Sequence, residues 1–401
     1  MIFTIQSSDF LRTLGAVSKI MDAKSAMPIL DNVLFFEPSP GHYALMGSSS
    51  EHSAVIDVPI RMKEGTFHEV CMSAKTLLGV VSLLSECPID VDVQPLPKES
   101  AKDTTRYEIV LRYKGGVFQF VGDDPKEYPR FRSNAEPICN FTIPASRLLP
   151  YLKIVAAYCA HDDLRPVLSG LCICARNEGV SMYGASKVSM CRYQYCPGAP
   201  FLIGTESDII IPTRVVNVLT SLFQPDSDIT VTYNGNNVLF EAEGASAQIR
   251  NLEGRAPRFE AVFPKDANQH VSFDTKEFRR VLQLVTLAAN SAIERVVLES
   301  TGGLLGKSFT VRASDVDYSL SSSQELLPVP SVVNGGDDPD ITLADGFKVA
   351  FRSSFMQRVL GSISTPNVRL FFRSPEQSFL IREDDPNSTL LFLLMPMQLD
   401  F

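Results

Sequence analysis

The sequence predicts an α+β fold built from three tandem copies of one two-helix, antiparallel-sheet domain, and three recurrences carry that prediction. Phe3-Thr4-Ile5 leads into Phe10, Leu14 and Val17 at helical spacing, and Phe141-Thr142-Ile143 leads into Leu148, Leu152 and Val155 after an offset of 138 residues. A weaker form, with Val271, Phe273, Phe278, Leu282 and Val285, follows 130 residues later. A second helical segment recurs as Val80-Val81-Ser82, Val218-Leu219-Thr220 and Val359-Leu360-Gly361, and Pro28 and Pro166, again 138 apart, each introduce an apolar run. A period of this length is a whole domain rather than a solenoid unit. It places the copies at 1–137, 138–266 and 267–401.

Each copy is expected to open with a short strand and continue as an amphipathic helix. In copy one Ser8 or Asp9 is the expected N-cap, with Phe10, Leu14, Val17 and Ile20 as the buried stripe of a helix of about 16 residues, about 24 Å long. A strand follows at 29–36, 167–175 and 296–300. Next come polar hairpin segments: Met46-Gly47-Ser48-Ser49, Tyr183-Gly184-Ala185-Ser186 and Val311-Arg312-Ala313-Ser314. The second helix is expected within 75–84, 213–223 and 353–363, followed by alternating strands such as 229–233 and 238–243 around the turn Asn234-Gly235-Asn236. The order is β-α-β-β-β-α-β-β-β, with helices covering one face of the sheet. Segments 130–140 and 264–270 read as linkers, and 98–106 and 328–340 as exposed loops.

With 401 residues, 45% of them hydrophobic, the chain has material for three cores. A net charge of −9 argues against a simply basic nucleic-acid binder. The distribution says otherwise: segments 9–24, 73–84, 146–159, 211–223, 275–295 and 351–363 together carry +9, which leaves −18 elsewhere. The longest apolar run, 390–397, is far short of the roughly 20 residues that span a bilayer, and a soluble, cytoplasmic protein is expected. The eight cysteines read as reduced core residues. Cys172, Cys174, Cys191 and Cys196 leave a metal site open as the alternative, although no C-x-x-C pair is present.

No catalytic constellation emerges, and no cofactor or metal is assigned. His42, His52, His68, His161 and His270 are scattered, without partners at ligand or triad spacing. Gly302-Gly303-Leu304-Leu305-Gly306-Lys307-Ser308 has the look of a phosphate-binding loop. It joins two strands, however, and lacks the following helix that would aim amides at phosphate, so a hairpin turn is expected. Asp162-Asp163 and Asp384-Asp385 read as caps and turn residues. The terminus is unusually apolar. Residues 390–394 suit a last core strand, whereas Pro396 should stop ladder pairing and leave Met397, Leu399 and Phe401 free to form part of a peptide-binding groove.

Met1-Ile2-Phe3-Thr4-Ile5, Pro28-Ile29-Leu30-Asp31-Asn32-Val33-Leu34 and Met395-Pro396-Met397-Gln398-Leu399, in that order and with three repeated domains, resemble the bacterial β sliding clamp family, the β subunit of DNA polymerase III. The resemblance covers the whole chain. It implies a head-to-tail homodimeric ring whose helices line a central hole, and a non-enzymatic processivity factor that encircles double-stranded DNA without sequence specificity. It also implies a hydrophobic cleft that tethers the polymerase α subunit, the clamp-loader δ subunit, repair proteins and other carriers of a clamp-binding motif.

Carried over by resemblance, the DNA-facing candidates are Lys24, Lys75, Arg147, Lys153, Arg165, Arg214 and Arg279. The partner cleft combines Leu168, Ser186, Lys187, Val188, Ser189, Pro257, Ala261 and Val262 with Leu393, Leu394, Met395, Pro396, Met397, Gln398 and Leu399. The ring interface places Phe118 and Phe120 near Leu287 and Ala288 of the other subunit. Lys187 and Ala261 stand where relatives often carry arginine, and Asp400-Phe401 extends past the usual terminal leucine. Two other classes compete with this reading: an enzyme with its site between the repeats, and a protein-only scaffold that uses the repeats as docking surfaces.

Overall fold

Where a strand of alternating burial runs into a stretch with apolar residues three and four apart, the backbone switches from period two to period 3.6. That switch opens each first helix: Ile2–Gln6 into α1 (Ser7–Ser18). The computed structural model describes residues 1–97, 104–130, 135–160, 166–303, 306–333 and 341–399. The other helices are α2 (Ala74–Val81), α3 (Ala145–Ala156), the single turn α4 (Pro166–Ser169), α5 (Val216–Leu222), α6 (Thr275–Thr286) and α7 (Ser353–Ser362).

Phe10, Leu14 and Val17, joined by Thr13, form the buried stripe of α1, whereas Ile20, expected in that stripe, is buried just beyond the end of the helix. Each fully buried apolar side chain among them contributes on the order of 2 kcal/mol. The helix is shorter than expected, with 12 residues and a length of about 18 Å, and neither Ser8 nor Asp9 caps it. Its N-cap is Gln6, which makes no side-chain cap, and the Ser7 amide is satisfied by the Cys87 carbonyl at 2.9 Å. In α6 a side chain does cap the helix: Asp274 accepts from the Glu277 amide at 2.7 Å. The strands expected from 29 and 167 begin later, at Asn32 and Gly170, because Pro28 and Pro166 each start a helical turn first.

The chain forms two compact units: Met1–Lys153 with Ala175–Glu178 and Pro197–Leu252, and Ile154–Cys174 with Gly179–Cys196 and Glu253–Phe401. The first unit holds two sheets. One runs Arg61–Glu64, Ile2–Gln6, Pro88–Pro95, Tyr107–Tyr113, Gly116–Gly122. The other has nine strands and contains the run Cys139–Pro144, Asp228–Tyr233, Asn237–Ala242, Ala245–Arg250, Ser53–Asp57, His42–Ser48, Asn32–Ser39. Within it, Ala245–Arg250 pairs antiparallel with Ser53–Asp57, so residues of the first and second sequence copies share one continuous ladder.

The second unit repeats this arrangement. Its larger sheet runs Gly179–Ala185, Ser189–Tyr195, Leu390–Leu394, Phe379–Glu383, Asn367–Phe372, Gln269–Asp274, and Leu390–Leu394 pairs antiparallel with Ser189–Tyr195. A four-stranded sheet runs Leu320–Leu326, Gly306–Asp315, Arg295–Gly303, Lys348–Arg352. Both seams therefore follow one rule: the last strand of a copy joins the third strand after the first helix of the preceding copy.

Two glycines report the repeat at atomic level. A Cβ on Gly47 would stand 2.5 Å from the Val17 carbonyl oxygen, and one on Gly184 would collide with the Val155 carbonyl oxygen. Val17 and Val155 are the repeat-related ends of the first helices, so both copies need glycine where a strand passes against that turn. These glycines lie inside strands His42–Ser48 and Gly179–Ala185, not in the hairpin turns expected there. In the third copy Arg312 occupies the motif position and lies in strand Gly306–Asp315.

Candidate nucleic-acid interface and peptide cleft

In the first unit α1 packs on α2 and α5, which brings cations from separated stretches together. Lys19, Lys153 and Arg214 line one groove of about 430 Å³ with Asn217, Thr220 and Ser221. Lys19 Nζ donates to Ser221 Oγ at 2.5 Å. Lys19 is not among the DNA-facing residues expected by resemblance, although it lies in the basic segment 9–24 and caps the C-terminus of α1.

Arg214 is less free than its position on an exposed turn suggests, because it pairs with Asp22 at 3.1 Å and Glu51 at 3.5 Å. Next to it, His52 is buried and accepts from the Arg250 amide through Nδ1 at 3.1 Å. Burial, and then the Arg214 charge, hold its pKa down to about 4, so the ring is neutral and adds no charge at neutral pH. Lys24, Lys75, Arg147 and Lys153 are all exposed. Arg279 is half-buried, and its guanidinium donates to the Leu360 carbonyl, tying α6 to α7. Arg165 lies outside the described residues, as do His161, Asp162 and Asp163, together with most of the two expected loops, at 98–103 and 334–340.

All the cleft candidates fall within the second unit. Strand pairing sets Ser189 opposite Leu394 and Met190 opposite Leu393, and just past the strand the Met395 amide donates to the Val188 carbonyl at 2.9 Å. The Ser186–Ser189 turn is held by the Ser189 amide donating to Ser186 Oγ at 3.1 Å and by the Ser186 amide donating to the Ser189 carbonyl at 2.8 Å. Leu168 is tied in through its carbonyl, which accepts from the Ala160 amide at 2.9 Å; the same amide reaches the Ala185 carbonyl at 3.0 Å.

Pro257, Ala261 and Val262 are brought to this place by side chains that no sequence motif identifies. Tyr183 stacks on Phe259 with ring centroids 4.8 Å apart and donates through Oη to Glu260 at 2.6 Å. Arg192 pairs with Glu260 at 3.1 Å and lies over the Phe263 ring at 5.2 Å. Burial, followed by the Glu260 carboxylate, raises the Tyr183 pKa well above the usual phenol range, so this hydroxyl stays a donor. Only strand alternation could have exposed this clip, by placing Tyr183 and Arg192, which pair in register, on one face.

The exposed apolar surface is made by Val188, Pro257, Ala261, Val262 and Met395, whereas Leu393 and Leu394 are buried beneath it as structural floor. Met397 does pair after Pro396: its amide donates to the Ala350 carbonyl at 2.7 Å in an isolated antiparallel bridge, which corrects the expectation of a free tail. Proline removes one donor but leaves the next amide able to bond. Asp400 and Phe401 lie outside the described residues.

Phe118 and Phe120 sit half-buried on Gly116–Gly122, an edge strand, with Val117 and Val121 exposed on its other face. Leu287 is 78% exposed, and Ala288 is buried inside its own unit. The strands on either side of the glycine-rich segment pair antiparallel, with Gly302 opposite Lys307, and Leu304 and Leu305, where the hairpin turn is expected, lie outside the described residues. Cys172 and Cys174 are buried with their Sγ atoms 3.7 Å apart, and among the described residues no group of three or more His, Cys, Asp or Glu is placed to hold a metal. No helix among them is long and apolar enough to cross a membrane.

Residues 1–111 match the family described as DNA polymerase III beta subunit, N-terminal domain. Over nearly its full length the chain is similar to proteins named beta sliding clamp. It is 20% identical to that of Streptococcus pneumoniae serotype 4, covering 99% of each chain, and 23% identical to that of Staphylococcus epidermidis, covering 98% of each. Its fold is that of solved sliding clamps. The Pseudomonas aeruginosa DnaN clamp bound to griselimycin superposes with a TM-score of 0.84 at 18% identity, and the Streptococcus pyogenes DNA polymerase β subunit with 0.83 at 19%, each over 100% of both chains. The resemblance seen in the sequence motifs therefore holds along the whole chain.

Proposed function

We propose that this chain is a DNA sliding clamp, an accessory subunit without catalysis of its own, built from three tandem copies of one domain. The observation that carries the ring is the seam rule. Ala245–Arg250 closes on Ser53–Asp57, and Leu390–Leu394 closes on Ser189–Tyr195, each joining a last strand to a third strand. By the same rule, among the described residues, Gly116–Gly122, the last strand of copy one, lacks its counterpart, and so does Leu320–Leu326, the third strand of copy three. Both are edge strands, and apolar edges are a liability unless they are covered. Pairing them between two chains gives a heterologous contact, which two copies satisfy twice to close a ring.

In this reading the helices carrying Lys19, Lys75, Arg147, Lys153 and Arg214 face a threaded duplex. Their cations meet phosphates without reading bases, so sliding costs little and retention comes from topology. The surface around Val188, Val262 and Met395 takes short apolar peptides from the polymerase α subunit, the clamp-loader δ subunit and other partners. A ring retained on closed circular DNA and lost from linear DNA tests the reading directly, and a protein-only scaffold shows no such difference.

A further inference from the structure

The two walls of the cleft are held in different ways. Val188 and Met395 stand at the end of a paired ladder, where Ser189 lies opposite Leu394 and the Met395 amide donates to the Val188 carbonyl. The other wall is the single helical turn Phe259–Ala261, with Pro257 before it and Val262 after it. The amides of that wall close the turn on itself: Phe259 donates to the Pro257 carbonyl at 2.9 Å, Ala261 to Arg258 at 3.1 Å and Val262 to Phe259 at 3.1 Å. These bonds shape the turn and do not tie it to the sheet.

What ties it to the sheet is a pair of side chains, Tyr183 and Arg192, directly opposite in register. Tyr183 stacks on Phe259 with the rings 7° from parallel, and Arg192 lies over Phe263. Flat stacking attracts but leaves the groups free to slide, whereas hydrogen bonds are directional. The direction comes from Glu260. Its Oε1 accepts from the Tyr183 hydroxyl at 2.6 Å and from Arg192 Nη1 at 3.1 Å, and its Oε2 accepts from the same nitrogen at 3.1 Å. One carboxylate, next in sequence to Ala261, thus joins both sheet residues to the turn.

An ion pair exposed at both ends contributes little. This pair is exposed at one end only: the Glu260 side chain is 58% exposed and that of Arg192 16%. Without the carboxylate a mostly buried guanidinium loses its anionic partner, and water becomes the cheaper place for that charge. Arg192 then turns outward and leaves Phe263, so both sheet contacts of the turn depend on Glu260.

We propose that Glu260 is a positioning residue of the cleft: joined to Tyr183 and Arg192, it fixes the Pro257–Val262 wall relative to the Val188–Met395 wall and so selects partner peptides by the size of their apolar anchor. The inference rests on the cleft reading. A fixed wall rejects an anchor that is too large and leaves a gap beside one that is too small, whereas a wall that slides takes either with less gain. Glu260 acts through the turn and not by touching the peptide.

The test uses the full-length protein and the clamp-binding peptide of its own polymerase α subunit, fluorescently labelled, with its principal apolar anchor kept or replaced by alanine or tryptophan. Wild-type protein should bind the best of the three about tenfold tighter than the worst, the scale on which a shaped apolar pocket discriminates. In Glu260→Ala that ratio should fall to about threefold or less, while Glu260→Gln, whose amide oxygen still accepts from both neighbours, keeps most of it. Loss of folded protein lowers all three affinities together and leaves the ratio alone, so the ratio reports the wall and not stability. Tyr183→Phe, which removes one hydroxyl, should lower the ratio part of the way and decides the question if Glu260→Ala does not fold. An unchanged ratio in these variants overturns the inference and leaves the cleft intact. Glu260→Gln behaving as Glu260→Ala overturns it too, because the charge then acts on the peptide directly, and so does a wild-type protein that does not discriminate. Failure of the unaltered peptide to bind wild-type protein removes the cleft reading and this inference with it.

Discussion

The Met395 amide donates to the Val188 carbonyl at 2.9 Å, joining the C-terminal tail to a turn more than 200 residues earlier in the chain. Both side chains remain exposed, Met395 at 45% and Val188 at 38%, so the backbone is bound while the apolar groups are offered outward. Met395→Asp is therefore expected to leave stability within about 1 kcal/mol of wild type, as an exposed substitution does. It should weaken binding of the polymerase peptide at least tenfold. Fluorescence anisotropy with parallel urea unfolding separates the two effects, and unchanged peptide affinity contradicts the cleft assignment.

Gly184→Ala places a methyl group against the Val155 carbonyl, and Gly47→Ala does the same at Val17. Backbone on both sides leaves little room to relax, so each is expected to cost about 1–3 kcal/mol or more. Denaturant midpoints measure this. Gly15→Ala, which meets nothing within 4 Å on the face of α1, serves as the control and should stabilise slightly.

The grouping of Lys19, Lys153 and Arg214 predicts a non-specific, salt-governed association with DNA. For each phosphate that a variant no longer neutralises, the slope of log K against log salt should become shallower by about 0.9. Lys19→Gln and Lys153→Gln are each expected to show that change on a linear duplex. Arg214→Gln should show less, since Asp22 and Glu51 already neutralise much of its charge. Arg279→Gln should act mainly on stability, because it removes the link to Leu360.

The edge strands Gly116–Gly122 and Leu320–Leu326, each without a neighbour on one side among the described residues, predict the oligomeric state. Wild-type protein should run at twice 44.2 kDa by light scattering. Val121→Asp, placed on the exposed face of Gly116–Gly122, together with Leu287→Asp, should give folded monomer, because each puts a charge into an apolar interface. A wild-type monomer contradicts pairing of these two edges between chains, and a trimer contradicts a ring of two chains.

How much of this was legible in sequence follows from what each feature depends on. The buried stripes of α1 and α6 are local, so Phe10, Leu14 and Val17, and likewise Phe278, Leu282 and Val285, identify those helices directly. Helix ends are not legible in the same way, because Pro28 and Pro166 open a helical turn before the strand and Gln6 caps α1 without a side chain. The tail residues Met395 and Met397 stand out as unusual in sequence, but the Met397 bridge to Ala350 depends on a strand from a different part of the chain. The Tyr183, Arg192 and Glu260 clip is wholly tertiary, and so is the commitment of Arg214 and Arg279 to partners inside the protein. Charge counting finds the basic segments; only packing shows which cations in them are available to a ligand.

The central claim is topological, and the most direct measurement is retention of the protein, after loading by the cognate clamp loader, on nicked circular DNA before and after linearisation. The account predicts that protein stays with the circle through gel filtration in high salt, where phosphate contacts are screened, and leaves within minutes once the circle is cut. Equal retention on circular and linear DNA, or release from both in step with rising salt, contradicts it.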